Sequence, residues 1–170
     1  MKRLFQLSAV ATCLLLGGGN TFVSAQEADD AGTDNHDMQF VTFKGPRSLL
    51  VQTKSGALLT TSASYSQITS AGVNMQFPGY LVVTFSGESL CTGGSWCTLK
   101  VMVNGVEMNP AVGTDFAFDS PDDQWESHSV QRISNLLPVG PKVVDVLWAV
   151  VGGSTFRIDD WLLKVEYWPQ

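Results

Sequence analysis

The stretch from Trp161 to Trp168 alternates at every second residue. Trp161, Leu163, Val165 and Tyr167 fall on one side, and Leu162, Lys164, Glu166 and Trp168 on the other. An extended strand is the conformation that sends successive side chains to opposite faces. A chain made of such units must bury one face of each strand against a second layer, which confines it to sandwiches and barrels. No stretch carries an apolar period of 3.6 residues over three turns, so a helical layer is not expected.

The rest of the chain from Met38 onward has the same character. Gly79–Phe85 and Cys97–Val103 read as strands, the second with Leu99, Val101 and Val103 on one face. Asn104-Gly105 follows directly, and both residues tolerate positive φ, so a tight hairpin turn is predicted there with Val106-Glu107-Met108 as the return strand. Residues 142–151 are apolar on both faces and predict a central strand covered on both sides, with Asp145 as a polar intruder at a sheet margin or paired with an Arg. Weaker strands are predicted at 39–43, 48–53, 57–61, 67–77, 115–118, 127–133 and 154–158. The seven prolines sit in the breaks between strands, as a β reading requires. The predicted fold is all-β, an antiparallel sandwich of two sheets, preferably of jelly-roll type. An immunoglobulin-like sandwich is the alternative, but the Cys–Trp–Cys arrangement across sheets is missing.

The N-terminus has a different logic. Lys2 and Arg3 precede an apolar run from Leu4 to Leu16, and Val23-Ser24-Ala25 supplies small residues before a cut. This is the layout of a signal peptide over residues 1–25, which predicts a secreted or periplasmic protein. The run is short for a membrane span of about 20 apolar residues, and lipidation at Cys13 fits the apolar context poorly. Residues 26–37 hold five acids, His36 and no large apolar side chain, so they predict a flexible acidic leader. Residues 38–170 then form a single sandwich domain. Cleavage after Ala25 removes Lys2 and Arg3 and leaves eight basic residues against 16 acids, a net charge of −8. Such a field disfavours nucleic acid, whose binding depends on neutralising phosphates. No second apolar segment is long enough to span a membrane.

Several residues could carry chemistry. Cys91 and Cys97 are the only cysteines outside the signal segment; in an exported domain they predict a structural disulfide. Redox-active pairs usually use Cys-x-x-Cys, and two thiols are half a zinc site. Asp119, Asp122, Asp123 and Glu126 put four acids into eight residues. Such an oxygen-rich loop could hold calcium, although its spacing is not that of an EF-hand and a solvated loop is the plainer reading. No other cofactor is expected. Asp159-Asp160 could be paired carboxylates, but neighbours on a strand diverge, so a turn or bulge with an Arg partner is the simpler account. His128 is flanked by serines without any supporting hydrolase motif. Trp96 and Trp125 lie in polar loops and are candidates to stack on sugar rings, against the alternative that they close the ends of the core.

The runs Tyr80–Phe85, Leu99–Gly105, Leu137-Pro138-Val139-Gly140, Val144–Trp148 and Ile158–Val165 together resemble a type of exported bacterial β-sandwich domain with no assigned catalytic residues. The resemblance covers about residues 79–167 and implies fold and export only. The functional expectation is an exported, non-enzymatic module that binds a glycan or associates with itself through end loops bearing Trp96 or Trp125. The alternative is a secreted enzyme acting on polysaccharide through paired carboxylates.

Overall fold

The computed structural model describes residues 48–112 and 116–170. The expected signal peptide, the acidic leader, the boundary at residue 38 and the strand expected at 39–43 lie outside the described residues. Among the described residues there is no helix, and therefore none long and apolar enough to cross a membrane. The strands are β1 (Ser48–Lys54), β2 (Leu58–Thr60), β3 (Ser66–Met75), β4 (Gly79–Thr92), β5 (Cys97–Val103), β6 (Val106–Glu107), β7 (Glu126–Ile133), β8 (Gly140–Val150) and β9 (Thr155–Pro169).

They form two antiparallel sheets. One runs β1-β9-β4-β7, with β2 also paired to β9, and the other runs β3-β8-β5-β6. The all-β sandwich read from the sequence is the fold found. The long central strands turn their apolar sides inward: Leu81, Val83 and Phe85 of β4 and Leu163 and Val165 of β9 meet Leu99 and Val101 of β5 and Val144 and Val146 of β8 in one buried cluster. Trp148 of β8 reaches across to Phe156 of β9, with ring centroids 5.5 Å apart. Burying such side chains stabilises by about 25 cal/mol per Å² of apolar surface, which is the main force holding the sheets together.

The Asn104-Gly105 turn takes φ of 48° and 77°. Both values are positive, as the tight hairpin between β5 and β6 demands. The chain passes from β4 in the five-stranded sheet to β5 in the four-stranded one through residues 93–96, and Cys91 and Cys97 close that crossing with a disulfide. The bond is local in sequence and still staples one sheet to the other. It is compatible with an oxidising, extracytoplasmic compartment.

Three strand expectations change. The segments 154–158 and 161–168 belong to one long strand, β9, broken in register opposite Ser86–Glu88 of β4. Asp160 sits in that irregularity at φ 42°, which reads as a bulge that lets one strand bend rather than stop. Strand β8 is central but not covered on both sides: Val143 is 46% exposed on its outward face. In an antiparallel sandwich only one face of a sheet meets the partner sheet, and Asp145 lies on the other, between Ser70 and Met102. Residues 116–118 are not strand; they belong to the segment linking β6 to β7.

Candidate functional site

The loop between β4 and β5 is held tightly. Its Gly93 and Gly94 have φ of 67° and 49°, and a Cβ on Gly94 would fall 2.6 Å from the Gly152 carbonyl oxygen. The two turns 93–95 and 151–153 therefore approach more closely than side chains allow. Ser95 N–H donates to the Val151 carbonyl at 3.2 Å, and Val151 N–H donates to the Trp96 carbonyl at 2.9 Å. Together with the disulfide, these bonds fix the backbone that carries Trp96.

Trp96 is half-buried and lines a cleft of about 200 Å³ together with Tyr65, Thr98 and Phe116 and the small apolar residues Ala63 and Ala149. Tyr65 lies just before β3; its ring is capped by Lys100 Nζ at 4.0 Å from the centroid. The Tyr65 hydroxyl and Thr98 Oγ1 are 3.3 Å apart and share a hydrogen bond. The cleft thus offers three aromatic surfaces, a pair of hydroxyls and a nearby cation. Arg132 packs on the Phe116 ring, its guanidinium carbon 4.7 Å from the centroid. Burial holds the Arg132 guanidinium below its ordinary pKa, with Glu107 pulling it back up.

The acidic loop does not gather all four of its carboxylates. Asp122 Oδ1 accepts from Gln124 N–H at 3.0 Å, closing a local turn, and both Asp122 and Asp123 face solvent. Asp119 behaves differently. It is 2% exposed. Its backbone pairs with Cys97 in both directions, at 3.0 and 3.2 Å, so the disulfide-bonded strand anchors it inside. Ser89 Oγ donates to Asp119 Oδ2 at 2.6 Å. Glu126 and His128 project from the inward row of β7, opposite Ser89 and Gly87 of β4. His128 Nε2 lies 3.7 Å from Asp119 Oδ1 and 3.2 Å from Glu126 Oε2. The structure therefore brings Asp119 and Glu126 of the expected set together, and adds His128.

Trp125 is 47% exposed and is not among the described residues lining the cleft. At the Asp159-Asp160 pair, Asp159 Oδ1 accepts from the N–H groups of Gly56 and Asp160, at 2.8 and 2.9 Å. The bulge was legible from the sequence, but its partners are backbone amides rather than an Arg. Tyr65, Thr98 and Phe116 were not singled out by sequence reasoning. Tyr65 sits in a Ser/Thr-rich run and Phe116 in a segment read as strand, and nothing local signals that they meet Trp96. His128 stands out in the sequence, and Glu126 lies two residues before it on the same strand face, but Asp119 is nine residues back in the segment from β6, and nothing local says that this segment folds onto β7.

No family model matches the chain, and no curated relative matches its sequence. Among solved structures the chain is similar to the sugar-binding EclA C-terminal domain, at 15% identity and a TM-score of 0.37, over 79% of this chain and 88% of that one. It is also similar to dimeric latent PorU from Porphyromonas gingivalis, at 11% identity and a TM-score of 0.41, over 77% of this chain. The match spans 14% of the PorU chain. Both likenesses are at the level of β-rich architecture.

Proposed function

We propose that the protein is an exported, non-enzymatic binding module and that its ligand is a glycan seated in the cleft of Tyr65, Trp96 and Phe116. The observation that carries this reading is the cleft itself: three aromatic rings, a Tyr–Thr hydroxyl pair and a backbone braced by a disulfide. Flat π-faces match the apolar face of a pyranose ring, and hydroxyls supply the directional contacts that orient it. A loop ordered in advance loses less entropy on binding, so the brace raises affinity without adding contacts. Export rests on the N-terminal layout. We also infer jelly-roll connectivity. With the short β2 set aside, successive strands alternate between the sheets except at the β5–β6 hairpin, the order of two interleaved Greek keys, an architecture used by lectin domains among others. Fold alone does not assign a ligand, so the cleft carries the proposal.

The test is a glycan-array screen followed by titration of the best hit. Wild type is expected to bind. Trp96→Ala should weaken binding by about tenfold or more, and Trp125→Ala should leave it unchanged. Loss on Trp125→Ala with retention on Trp96→Ala would move the site to the acidic loop. Release of shortened sugars in the same wells would instead favour the rival reading, an enzyme acting through paired carboxylates.

A further inference from the structure

The cluster at the start of β7 makes sense as a ligand set rather than as a set of hydrogen bonds. One oxygen or nitrogen from each of Asp119, Glu126 and His128 lies within 4.8 Å of the others. Yet among the described residues, Asp119 Oδ1 and His128 Nε2 are buried atoms with no hydrogen-bond partner. The 3.2 Å approach of Glu126 to His128 Nε2 is wrong in direction for a proton to be shared, and the 3.7 Å approach of Asp119 is too long for one. Burying a carboxylate oxygen without a partner costs free energy. Asp119 cannot escape to water, because its backbone is paired to Cys97 and its other oxygen is held by Ser89. A cation placed between the three groups would satisfy both orphaned atoms at once.

We propose that Asp119, Glu126 and His128 hold one divalent transition-metal ion of the zinc type. Tetrahedral zinc with ligand bonds of about 2.0–2.1 Å separates its ligand atoms by about 3.3 Å. The two measured separations, 3.2 and 3.7 Å, lie on either side of that value. An imidazole among the ligands selects against calcium, which takes six to eight oxygens, and towards zinc and its neighbours. The surroundings do what an outer shell does at such sites. The Ser89 hydroxyl orients the Asp119 carboxylate, and the Phe118 ring packs on the imidazole with centroids 5.4 Å apart, fixing its plane. Three protein ligands leave the fourth tetrahedral position for a water or an incoming donor. The Glu126 side chain is 49% exposed, so the cluster is open to solvent. This site shares none of its ligands with the aromatic cleft and stands or falls independently of the glycan reading.

The test uses the exported chain with its leader intact, stripped with a chelator and then titrated. Zinc is followed by calorimetry, cobalt by visible absorption, and calcium runs in parallel. Wild type should bind one zinc per chain, raise its thermal midpoint on binding, and give the intense visible bands of tetrahedral cobalt. His128→Gln and Glu126→Gln should abolish both signals. Ser89→Ala should weaken zinc by about tenfold. His36→Ala, Asp122→Asn and Trp96→Ala should bind as wild type does. Absence of zinc binding to the wild-type chain overturns the proposal with no variant needed. Two other outcomes also overturn it: zinc binding that survives His128→Gln but is lost in His36→Ala, which places the ion on the leader, and calcium binding that is lost in the Glu126 variant while zinc is not taken up.

Discussion

Strands β9 and β7 flank β4 in the same sheet, yet their inward rows have opposite chemistry. The row on β9 is Phe156, Ile158, Trp161, Leu163, Val165 and Tyr167, all buried. The row on β7 is Glu126, His128, Val130 and Arg132, set opposite Ser89, Gly87, Phe85 and Val83 of β4. The difference lies in what covers them. β9 lies over the facing sheet, where Trp148 meets Phe156, and its row carries no charged group there; the one hydroxyl in it, on Tyr167 near the end of the strand, is paired with the Phe77 backbone. Between two sheets a side chain is stable when it is largely apolar and any hydroxyl finds a partner of this kind. β7 is an edge strand met by the segment from β6, whose Phe116, Phe118 and Asp119 rest on Arg132 and His128. An irregular segment can bring polar partners, so the edge of the sandwich is where charged groups can be buried and used.

The comparison can be broken most forcefully at the apolar row. Phe85, which packs on Trp161 with centroids 5.7 Å apart, is fully buried. Phe85→Ala should destabilise the domain by about 3–5 kcal/mol in chemical denaturation. A cost near zero would mean that the two sheets are not joined through this core.

Next in size is the staple beside the polar row. Replacing Cys91 and Cys97 together by Ser should lower stability by about 2 kcal/mol on the chain-entropy model. Far-UV circular dichroism should keep its β signature, because the core does not depend on the bond. In the polar row itself, Ser89→Ala removes the hydroxyl donated to Asp119. The expected loss is about 1.5 kcal/mol, the usual worth of a hydrogen bond to a charged group. A neutral result would show that Asp119 finds another donor and would weaken the contrast between the rows. The smallest effect is expected at the exposed side chain next to that row. Trp125→Ala should shift stability by no more than about 0.5 kcal/mol, and a larger loss would reveal a packing role for this ring.

The class of fold was legible because strand periodicity is written residue by residue. Trp161 to Trp168 alternate in the sequence as they do in β9, and Asn104-Gly105 makes the turn its chemistry predicts. The cysteine pair was legible for a similar reason, being close in sequence and odd in composition. What the alternation could not express is where each strand would lie. Nothing local says that Cys91 and Cys97 belong to different sheets, that two expected strands fuse through a bulge at Asp160, or that β8 leaves one face open. The functional groupings depend on the same long-range placement. Trp96 meets Tyr65 and Phe116 because three separate segments converge on the ends of β5 and β8. His128 meets Asp119 because the link from β6 folds over the edge of β7. Period two fixes the face a side chain occupies, whereas strand order and crossover paths fix its neighbours, and these are set by the packing of the whole chain.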